Sequence, residues 1–265
     1  MKYIQIDQTN LIASRLGFGT GSLHHIFQNS GRQKLLYTAF ESGITHFDTS
    51  PYYGYGLAES DLGEFIHSKR QELTISTKVG LYAKQVAKNN KALWLYKALG
   101  KIHHDMSLPL IDWNIKQAKK SLNVSLKRLR TDYIDFLFLH EPDPLLINTE
   151  EFLRWVEDLR SKGKIRYWGL AGDLDLFSEL ILKKHSLARI IQCKDSLDMK
   201  EADLILQQGR PLQFTFGYLS SSAQRLERET GQRILAQTLK RNKTGTVLVS
   251  TKHNKRIKEL VGAVL

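Results

Sequence analysis

The chain has 265 residues and carries 39 Lys+Arg against 27 Asp+Glu, a formal net charge of +12. A hydrophobic content of 42% excludes a disordered chain, and a single cysteine, Cys193, excludes a disulfide framework or a cysteine-cluster metal site. The charge is uneven: residues 81–130 hold 11 Lys+Arg against Asp105 and Asp112, residues 233–258 hold 8 and no acid, and the remainder is net acidic. Two basic zones in an otherwise acidic chain suggest either anionic ligands at particular places or solvated helix faces. No zinc-finger spacing and no RNA-binding sheet signature accompanies the charge, so nucleic acid is a poor fit. Met1 to Asp7 has no apolar signal character, and no run of about 18 apolar residues occurs. A cytoplasmic chain with one cysteine and no membrane span is therefore expected.

In chain order, the first ten residues are expected to form a small hairpin outside the main fold. Strands are predicted at 16–19, 45–48, 74–78, 133–140, 165–169, 190–193, 212–216 and 245–250. Helices are predicted between them at 31–42, 58–69, 112–129, 149–162, 174–184, 199–208, 222–241 and 253–263. In the third of these, Ile115, Ala118, Leu122, Leu126 and Leu129 recur at helical spacing. Gly43 and Gly163 stand where helices should end. The third strand is followed by a long connection, 81–111, with Trp94, Tyr96, His103 and His104 among lysines. Connections of this length are often lids, and aromatics beside lysines suit a sugar or an anionic carbonyl compound. His103 and His104 lack partner ligands at metal spacing. Eight alternating units predict an α/β chain folded as a (β/α)₈ barrel, with residues 1–265 as one domain. The alternative, an open doubly wound sheet, would show G-x-G-x-x-G after its first strand; Gly17, Gly19 and Gly21 have the wrong spacing.

Active sites of such barrels lie at the C-terminal strand ends. There the second strand ends at Asp48, the third at Lys78 and the fourth at His140. Asp48 leads into Thr49-Ser50-Pro51-Tyr52-Tyr53-Gly54, a loop that brings tyrosines to the same end. Taken singly, such an Asp is often a helix cap, such a Lys a solvated cation, such a His a structural group. Together they form a proton-transfer set. A tyrosine begins with a pKa near 10, and lowering it by about two units requires roughly 2.7 kcal/mol. A nearby ammonium supplies this by favouring phenolate. Lys78 is expected to do so, held charged by Asp48, while His140 donates to a substrate carbonyl.

On these motifs the chain resembles the aldo-keto reductase superfamily, from Leu16 to about Leu260. The resemblance rests on Leu16-Gly17-Phe18-Gly19-Thr20-Gly21, His46-Phe47-Asp48-Thr49-Ser50-Pro51-Tyr52-Tyr53-Gly54 and Ser76-Thr77-Lys78-Val79-Gly80. It extends through Ser125-Leu126-Lys127-Arg128-Leu129, Asp132-Tyr133-Ile134-Asp135, Leu139-His140, Gly163-Lys164-Ile165-Arg166 and Gln192. The Thr-Ser-Pro-Tyr-Tyr-Gly segment is similar to that of the sugar-dehydrogenase-like branch. The resemblance implies a barrel that moves hydride between a nicotinamide cofactor and a carbonyl. It implies a catalytic tetrad of Asp48, Tyr53, Lys78 and His140, with Tyr53 as general acid or base. It implies cofactor contacts at Gly19, Thr20, Asp48, Gln192, Phe216, Thr251 and Arg256. Where the family has Ser-Asn after the fifth strand, to hold the nicotinamide carboxamide, this chain has Ala171-Gly172.

The second basic zone coincides with the region implied to meet the adenosine phosphate, so NADP(H) is the expected cofactor, with NAD(H) the alternative. The expected partner is a small aldehyde, ketone or sugar; no nucleic acid, membrane or metal is expected. Which substrate, which direction and which oligomeric state are left open by the sequence. The other reading is a nicotinamide-binding barrel with little turnover, acting as a sensor or interaction subunit, and the intact tetrad argues against it.

Overall fold

A computed structural model of the chain describes residues 1–84, 91, 95, 108–221 and 231–264. Two short strands, β1 (Tyr3–Gln5) and β2 (Ile12–Ser14), pair antiparallel with Tyr3 opposite Ser14. The strands β3 (Leu16–Gly19), β4 (His46–Asp48), β5 (Thr74–Val79), β8 (Ile134–His140), β9 (Ile165–Gly172), β10 (Ile190–Lys194), β11 (Phe214–Phe216) and β12 (Thr246–Val249) follow in chain order. They form a closed parallel barrel, each beside its predecessor, and β12 closes on β3 with Val247 opposite Leu16. Between β5 and β8, β6 (Leu81–Tyr82) and β7 (Leu110–Ile111) pair antiparallel at the base of the long connection. Trp94, Tyr96, His103 and His104 lie outside the described residues.

The described helices are α1 (Asn29–Glu41), α2 (Leu57–Ile66), α3 (Ile115–Leu129), α4 (Thr149–Ser161), α5 (Ser178–Leu182), α6 (Asp203–Gln207), α7 (Tyr218–Ser221), α8 (Gly231–Arg241) and α9 (Asn254–Gly262). The two most regular begin at asparagine caps: the Asn114 and Asn148 side chains accept from the amides of Lys116 and Glu151. The helix expected at 174–184 is instead a 3₁₀ turn at Leu174–Leu176 followed by the single turn and a half of α5. Only Asp203–Gln207 of the expected 199–208 is α-helical. Part of the helix expected at 222–241, residues 222–230, lies outside the described residues. Strand β9 runs three residues past its expected end, so Ala171 and Gly172 belong to the barrel wall.

Two apolar layers hold the barrel. The larger lies between strands and helices; the smaller fills the interior with Phe136, Phe138, Ala171, Ile190 and Phe214. Ile6, Leu11 and Ala13 join that interior cluster, so the N-terminal hairpin closes one barrel mouth rather than standing apart from the fold. At that end Asp135 is fully buried, accepts from the Ile75 amide at 2.8 Å, and is braced by Arg70 at 2.7 Å and Arg166 at 3.2 Å. The opposite, C-terminal end stays open for the site.

His46 sits in this interior, its ring 4.7 Å from Phe214 and 5.9 Å from Phe136. Nδ1 lies 2.9 Å from the Thr74 hydroxyl. Burial lowers its pKa to about 4, against a smaller opposing pull from Asp48. The folded pKa lies below the unfolded value, so the unfolded chain binds the extra proton and stability falls as pH drops below about 6.5. The expected loss from His46 between pH 6.5 and 5 is about 2 kcal/mol. Urea denaturation at pH 7 and pH 5 should show it, and His46→Asn should have a shallower pH dependence whatever its absolute stability.

Candidate active site

Asp48, Lys78 and His140 come from three adjacent strands whose register holds their ends level, with Asp48 opposite Ser76 and Lys78 opposite Phe138. Lys78 Nζ donates to both Asp48 carboxylate oxygens at 2.7 Å and to the Thr49 carbonyl at 2.9 Å. An ammonium has three donors, and all three are used. Ser76 Oγ donates to Asp48 Oδ1 at 2.6 Å, and Thr20 Oγ1 to the Asp48 carbonyl at 3.0 Å. Asp48 is thus fixed in both side chain and backbone. Ser76 was not anticipated from the sequence, although its place two residues before Lys78 puts both on one face of the strand.

Tyr53 reaches the same space from the β4–α2 loop. Gly54, Tyr55 and Gly56 all have positive φ (57°, 57° and 86°), which turns the chain sharply after Tyr53. The Tyr53 ring centroid lies 5.2 Å from Lys78 Nζ and 6.2 Å from the His140 ring, edge-on at 89°. Tyr53 lines the cavity; Tyr52 and Tyr55 do not.

The electrostatics differ from the sequence expectation. In the free protein the Tyr53 pKa is raised rather than lowered: burial penalises the phenolate, and Asp48, Glu141 and Tyr52 raise it further. The Lys78 ammonium is meanwhile committed to Asp48 and Thr49. Burial likewise lowers the Lys78 pKa, offset by Asp48. His140 is held well below its usual value by burial and then by Lys78, so it is a neutral imidazole. The set consists of a neutral phenol, a neutral imidazole and a salt bridge.

These groups line one end of a cavity of about 530 Å³. Of the other expected contacts, Gly19, Asp48, Gln192, Phe216, Thr251 and Arg256 all line it. Thr20 does not; it is fully buried behind Asp48. Gly21, Ser22, Ser250, Lys252 and His253 add to the lining. Ser22 Oγ and Ser250 Oγ are 2.6 Å apart, linking the β3 and β12 loops. The cavity is therefore polar and protein-neutral at the β4–β5–β8 end and cationic at the β12–α9 end. His140 Nδ1, Gln192 Oε1 and Asn254 Oδ1 are buried polar atoms without a protein partner. Asn254, the first residue of α9, does not itself line the cavity.

Gly172 has φ 140°, and a Cβ there would lie 2.6 Å from Glu141 Cγ. Glu141, itself at φ 52°, donates its amide to the Ala171 carbonyl at 2.6 Å. Its side chain therefore covers the space beside Ala171-Gly172. No local signal marks this, because the αL backbone that turns Glu141 over Gly172 is set by tertiary contacts. Among the described residues no group of His, Cys, Asp and Glu could hold a metal ion. A larger hollow of about 840 Å³ lies outside the barrel wall against α4 and α5, and none of the tetrad reaches it.

The Aldo/keto reductase family model matches residues 15–199. Over 177 residues the chain is 32% identical to the aldo-keto reductase YhdN of Bacillus subtilis (strain 168), covering 64% of this chain and 47% of that protein. Over 185 residues it is 28% identical to L-galactose dehydrogenase of Arabidopsis thaliana, covering 66% of this chain and 50% of that one. The matches thus span about half the length of these curated relatives. Among solved structures, the holo form of an aldo-keto reductase from Bacillus halodurans superposes with a TM-score of 0.75 at 23% identity, over 100% of this chain and 91% of that chain. An aldo-keto reductase from Klebsiella pneumoniae in complex with NADPH gives 0.70 at 19% identity, over 99% of this chain and 89% of that one. With most of the barrel inside the family match, the chain belongs to the aldo/keto reductase family.

Proposed function

We propose that the protein is an NADP(H)-dependent oxidoreductase that reduces an aldehyde, ketone or sugar carbonyl, or oxidises the corresponding hydroxyl. The observation that carries this reading is the convergence of Tyr53, Lys78, Asp48 and His140 on one end of a cavity whose other end is cationic. The residues suit a dinucleotide phosphate. Lys252 and Arg256 stand at the start of α9, where an anion is favoured, while the buried Gln192 Oε1 is an acceptor suited to an amide N–H of the cofactor rather than to its phosphate. The names of two relatives, L-galactose dehydrogenase and D-threo-aldose 1-dehydrogenase, favour a sugar among the candidate substrates.

Bound NADPH supplies a hydride to the carbonyl carbon. The protein's own part is to place and protonate the oxygen. Neutral His140 donates a hydrogen bond to the carbonyl oxygen, and Tyr53 gives that oxygen its proton as negative charge develops on it. A phenol kept protonated by its surroundings is charged for donation throughout the neutral range. The Asp48–Lys78 pair fixes the wall on which Tyr53 rests. In oxidation Tyr53 is the base, and the raised pKa of the free protein makes that direction favour alkaline pH.

Tyr53→Phe should abolish turnover, with a loss of about 10²–10⁴-fold, while leaving NADPH binding nearly intact. Steady-state rates and a cofactor titration by fluorescence would show this; retention of more than about a tenth of the rate would move the proton donor elsewhere.

Arg256→Ala should weaken NADPH binding by roughly 10- to 150-fold and leave NADH binding almost unchanged, because a charge-assisted hydrogen bond contributes about 1.5–3 kcal/mol. Added salt should reproduce part of that selective loss. Equal losses for the two cofactors, measured side by side, would separate Arg256 from the phosphate.

A further inference from the structure

Asp195 directly follows β10, is completely buried and does not itself line the cavity. Its carboxylate accepts four hydrogen bonds, against three at the Asp48 carboxylate. Its amide donates to the Phe216 carbonyl at 2.9 Å. Oδ1 accepts from the Ala202 amide at 3.0 Å and from Arg241 Nη2 at 3.0 Å. Oδ2 accepts from Arg241 Nε at 2.7 Å and from the Tyr218 hydroxyl in a short hydrogen bond. Arg241 in turn pairs with Asp203 at 2.8 Å. One carboxylate therefore ties together the ends of β10 and β11, the approach to α6, the turn α7 and the last residue of α8.

What this knot holds is the segment Phe216–Ser220. Phe216, Gly217, Leu219 and Ser220 all line the cavity, whereas Tyr218 points the other way and is 2% exposed. Gly217, at φ 103°, makes the reversal between strand and turn. Tyr218 opens α7, the first described turn after the reversal. Its place is fixed from behind by Tyr218 on Asp195. The carboxylate is bidentate to Arg241 and accepts from the Tyr218 phenol on the same edge.

We propose that Asp195 is a positioning residue for the dinucleotide: through Tyr218 and the Phe216 carbonyl it fixes the Phe216–Ser220 wall against which the cofactor lies. The proposal rests on the dinucleotide reading of the cavity and adds a role to residues outside it. It separates cofactor affinity from proton transfer, because nothing in the Asp195 network touches Tyr53, Lys78 or His140.

Calorimetric titration with NADPH tests it on wild-type protein, Tyr218→Phe, Asp195→Asn and, as a control, Asp135→Asn at the closed mouth of the barrel. Tyr218→Phe keeps the ring and removes one hydroxyl. Its Kd for NADPH should rise by about 2- to 12-fold, the equivalent of one hydrogen bond, and Asp195→Asn should raise it further. The kcat at saturating NADPH and its pH profile should be unchanged in Tyr218→Phe. Asp135→Asn should lower the melting temperature and leave Kd alone. An unchanged Kd in Tyr218→Phe, or an equal rise in Asp135→Asn, would overturn the proposal. Failure of the wild-type protein to bind NADPH would instead overturn the dinucleotide reading itself, and this proposal with it.

Discussion

The site depends on the buried pair of Lys78 and Asp48. Each would be costly alone in the barrel wall, and removing one partner of such a pair typically costs about 3–5 kcal/mol because the other remains charged and unpaired. Together, with Ser76 and the Thr49 and Asp48 carbonyls completing the pattern, they form a closed unit with no free donor on the ammonium. Neighbouring groups respond to that closure. Tyr53 faces an ion pair rather than a bare cation and stays a phenol. His140 stays neutral through burial first and the nearby Lys78 second. In this setting the tyrosine stays a neutral phenol.

The same cavity is electrically divided. At the tetrad end the one full charge of each sign cancels within the salt bridge. At the β12–α9 end Lys252 and Arg256 have no such compensation from the lining, and α9 begins there. An extended ligand with a neutral reacting end and an anionic far end matches this division. Behind the far wall, Phe216–Ser220, the Tyr218 hydroxyl donates to the buried Asp195 carboxylate. The site is thus two ion-paired knots, Asp48–Lys78 and Asp195–Arg241, with the cavity between them.

The barrel was legible in the sequence because its eight strands are short β-branched or aromatic runs separated by helices with clear apolar stripes. Asp48, Lys78 and His140 were legible because strand ends in a parallel barrel fall at one mouth. Less was legible where tertiary contacts override local signals. Nothing in 174–184 marks the break before α5, which Phe177 makes by burying its ring completely. The extension of β9 to Gly172 depends on Glu141 taking a left-handed backbone. Thr20 reads like a cofactor contact by position but spends its hydroxyl on Asp48. The direction of the Tyr53 shift follows from the burial of its ring beside Asp48, which no spacing reveals. Asp195, Tyr218 and Arg241 are far apart in sequence and lie in no common motif, so only their coordinates bring them together.

The most direct measurement of the central claim is the pH dependence of kcat/KM for NADPH-driven carbonyl reduction, which reports ionisations of the free protein. A proton donor held neutral by burial and by Asp48 predicts a rate that is level from about pH 6 to 9 and declines only on the alkaline side, as the phenol at last ionises. A decline between about pH 6 and 8 with a single ionisation would show that the donor titrates like an ordinary imidazole or a strongly acidified phenol, and would contradict the account.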